Sequence, residues 1–110
     1  MTKSQALEQI EKELAAASEA RHAGNEGMVR VCARRAAGIA IRYSLEQRHR
    51  SGWGNDAMTQ LRNVERNDTM PPGISEAARR LATKITSRFE SPTSIDPLDD
   101  SRTIISHFLQ

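Results

Sequence analysis

Two arginine–histidine pairs are the residues of this sequence with the clearest potential for chemistry. Arg42 precedes His49, and Arg102 precedes His107 with four residues between them. A guanidinium can hold a phosphate and stabilise the charge that develops in a transition state. An imidazole titrates near neutral pH, so it can move the proton of a ribose 2′-hydroxyl. A groove containing both side chains would therefore cut RNA without a metal ion, and it would spare DNA, which lacks that hydroxyl.

The segment Arg-Thr-Ile-Ile-Ser-His, from Arg102 to His107, resembles the Arg-x4–6-His motif of HEPN domains. These are small all-α bundles found in toxin and defence ribonucleases and in partner-binding relatives. In that family the motif lies near the start of a late helix, and active members pair two protomers so that both motifs face one cleft. The resemblance implies a HEPN-like fold, catalytic roles for Arg102 and His107, and a homodimer.

Other kinds of catalytic site find no support in the sequence. The chain has no glycine-rich phosphate loop, and its histidines, His22, His49 and His107, lie in separate segments without metal-ligand spacing. The single cysteine, Cys32, falls on a predicted buried face and has no partner within the chain for a disulfide. We therefore expect neither a metal nor a cofactor.

Charge is unevenly distributed along the chain, although the net charge is only +2. Residues 1–20 carry −2, residues 21–50 carry +5 and residues 90–110 carry −3. The arginines of the basic segment could bind nucleic acid, or acids of the first helix could neutralise some of them within the fold. Trp53 could stack on a base or fold back over the end of the bundle. The candidates for nucleic-acid binding are Arg30, Arg34, Arg35, Arg42 and Trp53.

Apolar periodicity predicts an all-α fold, a single domain over residues 1–110 built as an up-and-down bundle of four to five helices. The first helix begins at the capping residue Thr2, and the second runs from Asn25 to about Gln47. Gly24 lies between them and can adopt a left-handed backbone conformation. So short a turn predicts that the two helices form an antiparallel hairpin.

Small apolar residues cover one side of the second helix, whereas arginines interrupt the other. A helix with this pattern is typical of the centre of a bundle, because neighbours can approach it from more than one side. The predicted buried residues are Met28, Val29, Cys32, Ala33, Ala36, Ile39, Ala40 and Tyr43.

Three further helices follow in the second half of the chain. A short helix begins at Asn55 or Asp56, and a fourth begins near Ile74 and carries apolar residues as far as Phe89. The last helix begins at Asp96, whose carboxylate suits the positive end of the helix dipole.

The last helix also suggests how the protein could act. Ile104, Ile105 and Phe108 are apolar and have little of their own helix to pack against, so they predict an interface with a second copy or another protein. This pattern favours a protein that acts by association, without catalysis. The alternatives are a metal-independent ribonuclease using Arg102 and His107, and nucleic-acid binding without cleavage.

The sequence predicts a cytoplasmic protein with no membrane segment. No apolar run approaches the ~18–20 residues that span a bilayer. The first residues, MTKSQALEQIEKEL, are amphipathic and include acids, unlike a signal or transit peptide.

Overall fold

A computed structural model describes residues 1–48, 53–54, 56–83 and 95–110 of the chain, and these residues form five α-helices and no strand. The prediction of an all-α fold with up to five helices is confirmed for this part of the chain. None of its helices is both long enough and apolar enough to cross a membrane. In chain order the helices are α1 (Lys3–His22), α2 (Glu26–Gln47), α3 (Ala57–Arg66), α4 (Pro72–Ala82) and α5 (Pro97–Phe108).

The first two helices begin where their capping residues predicted. The Thr2 hydroxyl accepts the backbone N–H of Gln5 at 3.1 Å, and the Gln5 side chain accepts the backbone N–H of Thr2 at 2.8 Å. This reciprocal pair is a complete capping box. Asn25 caps α2 through the N–H of Met28, and Gly24 turns the chain between the helices with a φ of 75°. Glycine adopts this conformation without strain, so the hairpin forms as predicted.

α2 lies at the centre of the fold, where it contacts all four other helices. Its small side chains permit this close approach. A β-carbon at Gly38 would lie 3.0 Å from the β-carbon of Ala57 in α3. Most of the predicted apolar side and much of the opposite side are therefore buried, but Met28, predicted to be buried, is 41% exposed and Tyr43 is only partly buried. The buried residues of α2 are Val29, Arg30, Cys32, Ala33, Ala36, Ala37, Gly38, Ile39, Ala40, Ile41 and Ser44.

α4 differs from its prediction at both ends. It begins at Pro72 rather than near Ile74, because proline is well tolerated in the first turn of a helix. It ends at Ala82, and Thr83 has an extended backbone with φ −73° and ψ 131°. Phe89, which the apolar pattern assigned to this helix, lies outside the described residues.

α5 begins at its predicted cap, Asp96, and packs between α2 and α4. Its Ser101 hydroxyl is buried and donates to the carbonyl oxygen of Ala33 in α2 at 2.7 Å. On its other side the carboxylate of Asp100 accepts three hydrogen bonds from Arg80 of α4, two from Nε at 3.3 and 3.1 Å and one from Nη2 at 2.9 Å. Polar contacts thus fix α5 against both neighbours.

This position of α5 corrects the predicted interface. Ile104 is 0% exposed and Phe108 is 6% exposed, because α2 and α4 cover the apolar side of the helix. Ile105 is partly exposed and packs at the edge of the core. Ile104 and Phe108 are therefore core residues of their own chain and are not available to a partner.

Candidate functional site

A surface groove between the start of α4 and the second half of α5 contains both members of the Arg102–His107 pair. Its volume is about 440 Å³. The two residues are five positions apart, about 140° around a helix, yet the length of the arginine side chain lets both line the groove. The lining residues are Ile74, Arg102, Thr103, Ser106, His107 and Gln110.

Arg102 provides the positive charge of the groove. Its side chain is 60% exposed, and its guanidinium lies 3.9 Å from a carboxylate oxygen of Asp99, which is itself exposed. An ion pair at this distance between exposed groups is weak, because water and salt screen it. The guanidinium is therefore able to exchange this contact for a phosphate oxygen.

His107 lies in the last turn of α5 and is partly buried. Its ring meets the ring of Phe108 edge to face, with centroids 5.0 Å apart and an angle of 89° between the planes. Because Phe108 is fixed in the core, this contact restrains the imidazole while part of it still lines the groove. The groove thus holds an imidazole, whose two ring nitrogens can donate or accept hydrogen bonds.

Three neutral polar side chains complete the groove: Thr103, Ser106 and Gln110. The Thr103 hydroxyl already donates to the carbonyl oxygen of Asp99 at 3.0 Å, so it can offer the groove an acceptor. Hydroxyl and amide groups suit the oxygens of a phosphate or the edge of a base. The sequence did not single out these residues, although Thr103 lies three residues before Ser106 and four before His107, and Gln110 lies four and three residues after them.

Arg30 and Arg34 were predicted to bind nucleic acid, but Arg30 lies inside the fold and Arg34 is partly buried beside it. Arg30 is 3% exposed, and its Nη2 donates to the carbonyl oxygens of Arg80 at 2.6 Å and Thr83 at 2.7 Å. Arg34 donates from Nε to the carbonyl oxygen of Leu81 at 2.7 Å and from Nη2 to that of Thr83 at 3.1 Å. Both guanidinia cap the end of α4, whose last carbonyls have no partner within the helix. The guanidinium of Arg30 is thus not available to phosphates, and that of Arg34 is already engaged by two carbonyl oxygens.

Burial changes the pKa of these two arginines. It lowers the pKa of both guanidinia below the usual arginine value, and the positive charge of Arg30 lowers the pKa of Arg34 further. The nearby Asp100 carboxylate acts in the opposite direction on Arg30. The acids of α1, which sequence analysis considered as partners for these arginines, are not the groups that hold them. Carbonyls at the negative end of α4 take that role.

The remaining predicted nucleic-acid residues divide between the surface and the core. Arg35 and Arg42 are exposed on α2. Trp53 is partly buried and packs against the core, and its carbonyl oxygen accepts a hydrogen bond from Asn63 at 3.1 Å. Of the two alternatives considered for Trp53, this packing favours the one in which the side chain folds back onto the bundle. His49, the neighbour of Arg42 in the second arginine–histidine pair, lies outside the described residues.

Cys32 and the acidic residues form no further site in the described part of the chain. Burial raises the pKa of the Cys32 thiol, and the negative charge of Glu13 raises it further. A thiol of this kind is a poor nucleophile, because the thiolate is the reactive form. No three His, Cys, Asp or Glu side chains among the described residues come close enough together to hold a metal ion.

The groove therefore combines an available guanidinium, an imidazole and neutral hydrogen-bonding groups on one face of α5. Such a surface suits a ligand in which an anionic group lies close to a group with a transferable proton. Comparisons with models of known protein families, with curated proteins and with solved structures found no match. Function is consequently inferred from the chemistry of the groove.

Proposed function

We propose that the groove lined by Arg102 and His107 binds a phosphodiester of single-stranded RNA, and that the chain is a HEPN-like, metal-independent endoribonuclease. The observation that supports this proposal is the presence of both side chains in one groove. The alternative based on association has lost its main support, because Ile104 and Phe108 are buried in their own core.

Each side chain has a role in the proposed reaction. The ribose 2′-oxygen attacks the adjacent phosphorus, and the bond from phosphorus to the 5′-oxygen of the next nucleotide breaks. His107 takes the proton of the 2′-hydroxyl, and the departing 5′-oxygen receives a proton from water. Arg102 neutralises the charge that grows on the phosphate oxygens. The products carry a 2′,3′-cyclic phosphate and a 5′-hydroxyl.

A pair of chains belongs to this proposal, because the HEPN resemblance implies two motifs facing one cleft. A second copy would cover the exposed side of Arg102 and exclude water, which strengthens electrostatic interactions in the groove. Thr103 is a departure from that family, in which Asn, Asp or His usually follows the arginine. Its hydroxyl supplies a smaller polar group at the same position.

Cleavage of a mixed-sequence single-stranded RNA in excess chelator tests the proposal. We expect the wild-type chain to cut the RNA and to leave a DNA of the same sequence intact. His107→Ala and Arg102→Ala should abolish cutting, whereas Arg66→Ala should retain it, since Arg66 is exposed on α3 and does not line the groove. Circular dichroism of each variant checks that the helices are kept. Uncut RNA, or full activity of His107→Ala, would refute the proposed chemistry.

Association without catalysis, as a homodimer or with a protein partner, is the second candidate. Ile105 is the part of the predicted interface that keeps some exposure, and Leu7 and Met28 are 40% and 41% exposed on the first two helices. Analytical ultracentrifugation of the wild-type chain separates the candidates. A stable dimer that leaves RNA intact would favour association alone, and a strictly monomeric chain would count against the paired ribonuclease and the homodimer, which would leave association with a protein partner.

A further inference from the structure

A second cleft lies beside the groove, on the other side of the end of α5. Its volume is about 190 Å³. It is formed by the first turn of α1, the end of α2 and the end of α5. Side chains from all three places line it, among them Lys3, Tyr43, Gln47, Arg48 and Phe108.

The groove and the cleft meet at Gln110, beyond the end of α5. Gln110 lines both of them, while the adjacent residues His107 and Phe108 line one each. Arg102 and Phe108 are six residues apart on α5, about 9 Å along the helix axis. That distance exceeds two stacked nucleotide steps of about 3.4 Å each. A single strand that crosses Gln110 would therefore reach from one depression into the other.

The cleft has the charge and the ring that a nucleic-acid strand requires. Lys3 and Arg48 contribute two cations, and neither Asp nor Glu is among the lining residues. Tyr43 is partly buried, packs against the core and also lines the cleft, and its aromatic ring is of the kind on which bases stack. Phosphate contacts from cations together with stacking on an aromatic ring are typical of sites that bind single strands without sequence preference.

We infer that the groove and the cleft form one continuous track for a single RNA strand. In this track Lys3 and Arg48 hold phosphates beyond the one held by Arg102, and Tyr43 stacks a base between them. The inference rests on the proposed function, because Arg102 and His107 define the end of the track at which the strand would be cut.

Binding of two RNA lengths tests the track. The probes are a dinucleotide, followed by NMR titration, and an oligonucleotide of about eight residues, followed by fluorescence anisotropy at low salt. Both carry 2′-O-methyl groups, so that the wild-type chain cannot cut them. We expect Lys3→Gln/Arg48→Gln to weaken binding of the longer RNA by about ten-fold and to leave dinucleotide binding unchanged. The matched control, Lys12→Gln/Arg66→Gln, changes one lysine and one arginine that line neither depression.

A third variant, Arg102→Gln, separates the two proposals. The track requires that it weaken binding of both RNA lengths. If Arg102→Gln weakens both and Lys3→Gln/Arg48→Gln weakens neither, the track is refuted and the proposed groove stands. If only the lysine–arginine variant has an effect, the cleft binds RNA by itself and the continuity is refuted. A wild-type chain that binds neither RNA would refute both the track and the proposed function.

Discussion

Arg30 and Thr83 are joined by a hydrogen bond of 2.7 Å from the guanidinium of the first to the carbonyl oxygen of the second. Thr83 is the residue at which the chain leaves α4 for an extended conformation. The last carbonyls of a helix lack partners within the helix, and the helix dipole places negative charge there. A buried cation on the central helix α2 therefore caps the C-terminal end of α4. The contact fixes the position of α4 against α2, although the two helices are far apart in the sequence.

Removal of the Arg30 side chain should destabilise the fold strongly. Arg30→Met keeps much of the apolar stem but leaves the carbonyl oxygens of Arg80 and Thr83 without this donor. Hydrogen bonds to charged groups contribute about 1.5–3 kcal/mol, so we expect the free energy of unfolding in urea to fall by about 2–3 kcal/mol.

Arg35→Met is the matched control for this change. Arg35 lies on the same helix and is exposed, so its loss should change the free energy of unfolding by less than about 0.5 kcal/mol. Equal effects of the two substitutions would contradict the capping role of Arg30.

Gly38→Ala should destabilise the chain even though alanine is the better helix former. The added β-carbon would lie 3.0 Å from both the β-carbon of Ala57 and the side-chain oxygen of Gln60. α3 must therefore move away from α2, at a cost of about 1–3 kcal/mol that exceeds the gain of about 1 kcal/mol in helix propensity. A lower thermal unfolding midpoint is the expected measurement.

Gly73→Ala serves as the control for Gly38→Ala. Nothing lies within 4 Å of a β-carbon at Gly73 in the first turn of α4. We expect this variant to be as stable as the wild type or more stable, because only the propensity term remains. A stabilising Gly38→Ala would show that α3 does not pack as closely as described.

The first residues of α1, α2 and α5 were predictable because the capping signals that begin these helices are local. The caps at Thr2, Asn25 and Asp96 each depend on a side chain and a backbone N–H two or three residues away. Such contacts follow from the order of residues alone. That Arg102 and His107 would lie close together was also predictable, since both residues belong to one helix, and both line the same groove.

The roles of Arg30 and Ile104 were not predictable in this way. Arg30 looked like a phosphate ligand because the sequence does not tell which carbonyls α4 would bring to α2. Ile104 looked like an interface residue because the sequence does not show that α4 would cover α5. Both outcomes depend on contacts between distant elements, for which periodicity carries no information.

Asp100→Asn should lower the free energy of unfolding by about 3 kcal/mol. Asp100 is buried and accepts hydrogen bonds from both Nε and Nη2 of the Arg80 guanidinium. An amide accepts on one atom only and carries no charge, so the partly buried guanidinium would lose its counter-ion. Arg80→Met/Asp100→Leu removes both charges and should be more stable than Asp100→Asn. If that double variant is the less stable of the two, the cost does not come from the unpaired charge.

The lowered pKa of Asp96 predicts how the free energy of unfolding depends on pH. The Arg21 guanidinium beside it holds the pKa of the Asp96 carboxyl below its usual value, and the N–H of Leu98 acts in the same direction. Because the pKa of Asp96 is lower in the folded chain than in the unfolded chain, its ionised carboxylate stabilises the fold. This contribution is fully present at pH values above the pKa of an unfolded Asp, about 3.9. That stability is lost as the pH falls through the folded value.

Asp96→Ala should therefore cost about 1 kcal/mol at neutral pH, the usual contribution of a helix cap. Arg21 and Asp96 are both partly exposed, so their ion pair adds little to this. Urea midpoints of the wild type and the variant should approach each other as the pH falls below about 4. A difference that grows in acid would have the wrong sign for a carboxyl with a lowered pKa.

Salt dependence gives the most direct measure of the phosphate contact that we propose at Arg102. Each phosphate that a protein neutralises on a single strand contributes about 0.7 to the slope of log affinity against log salt. Arg102→Gln should thus reduce the slope for the longer 2′-O-methyl RNA by about 0.7. Arg66→Gln, which removes an exposed arginine outside the groove, should leave it unchanged. An equal reduction in both variants would mean that overall charge attracts the RNA, and that the groove does not hold a particular phosphate.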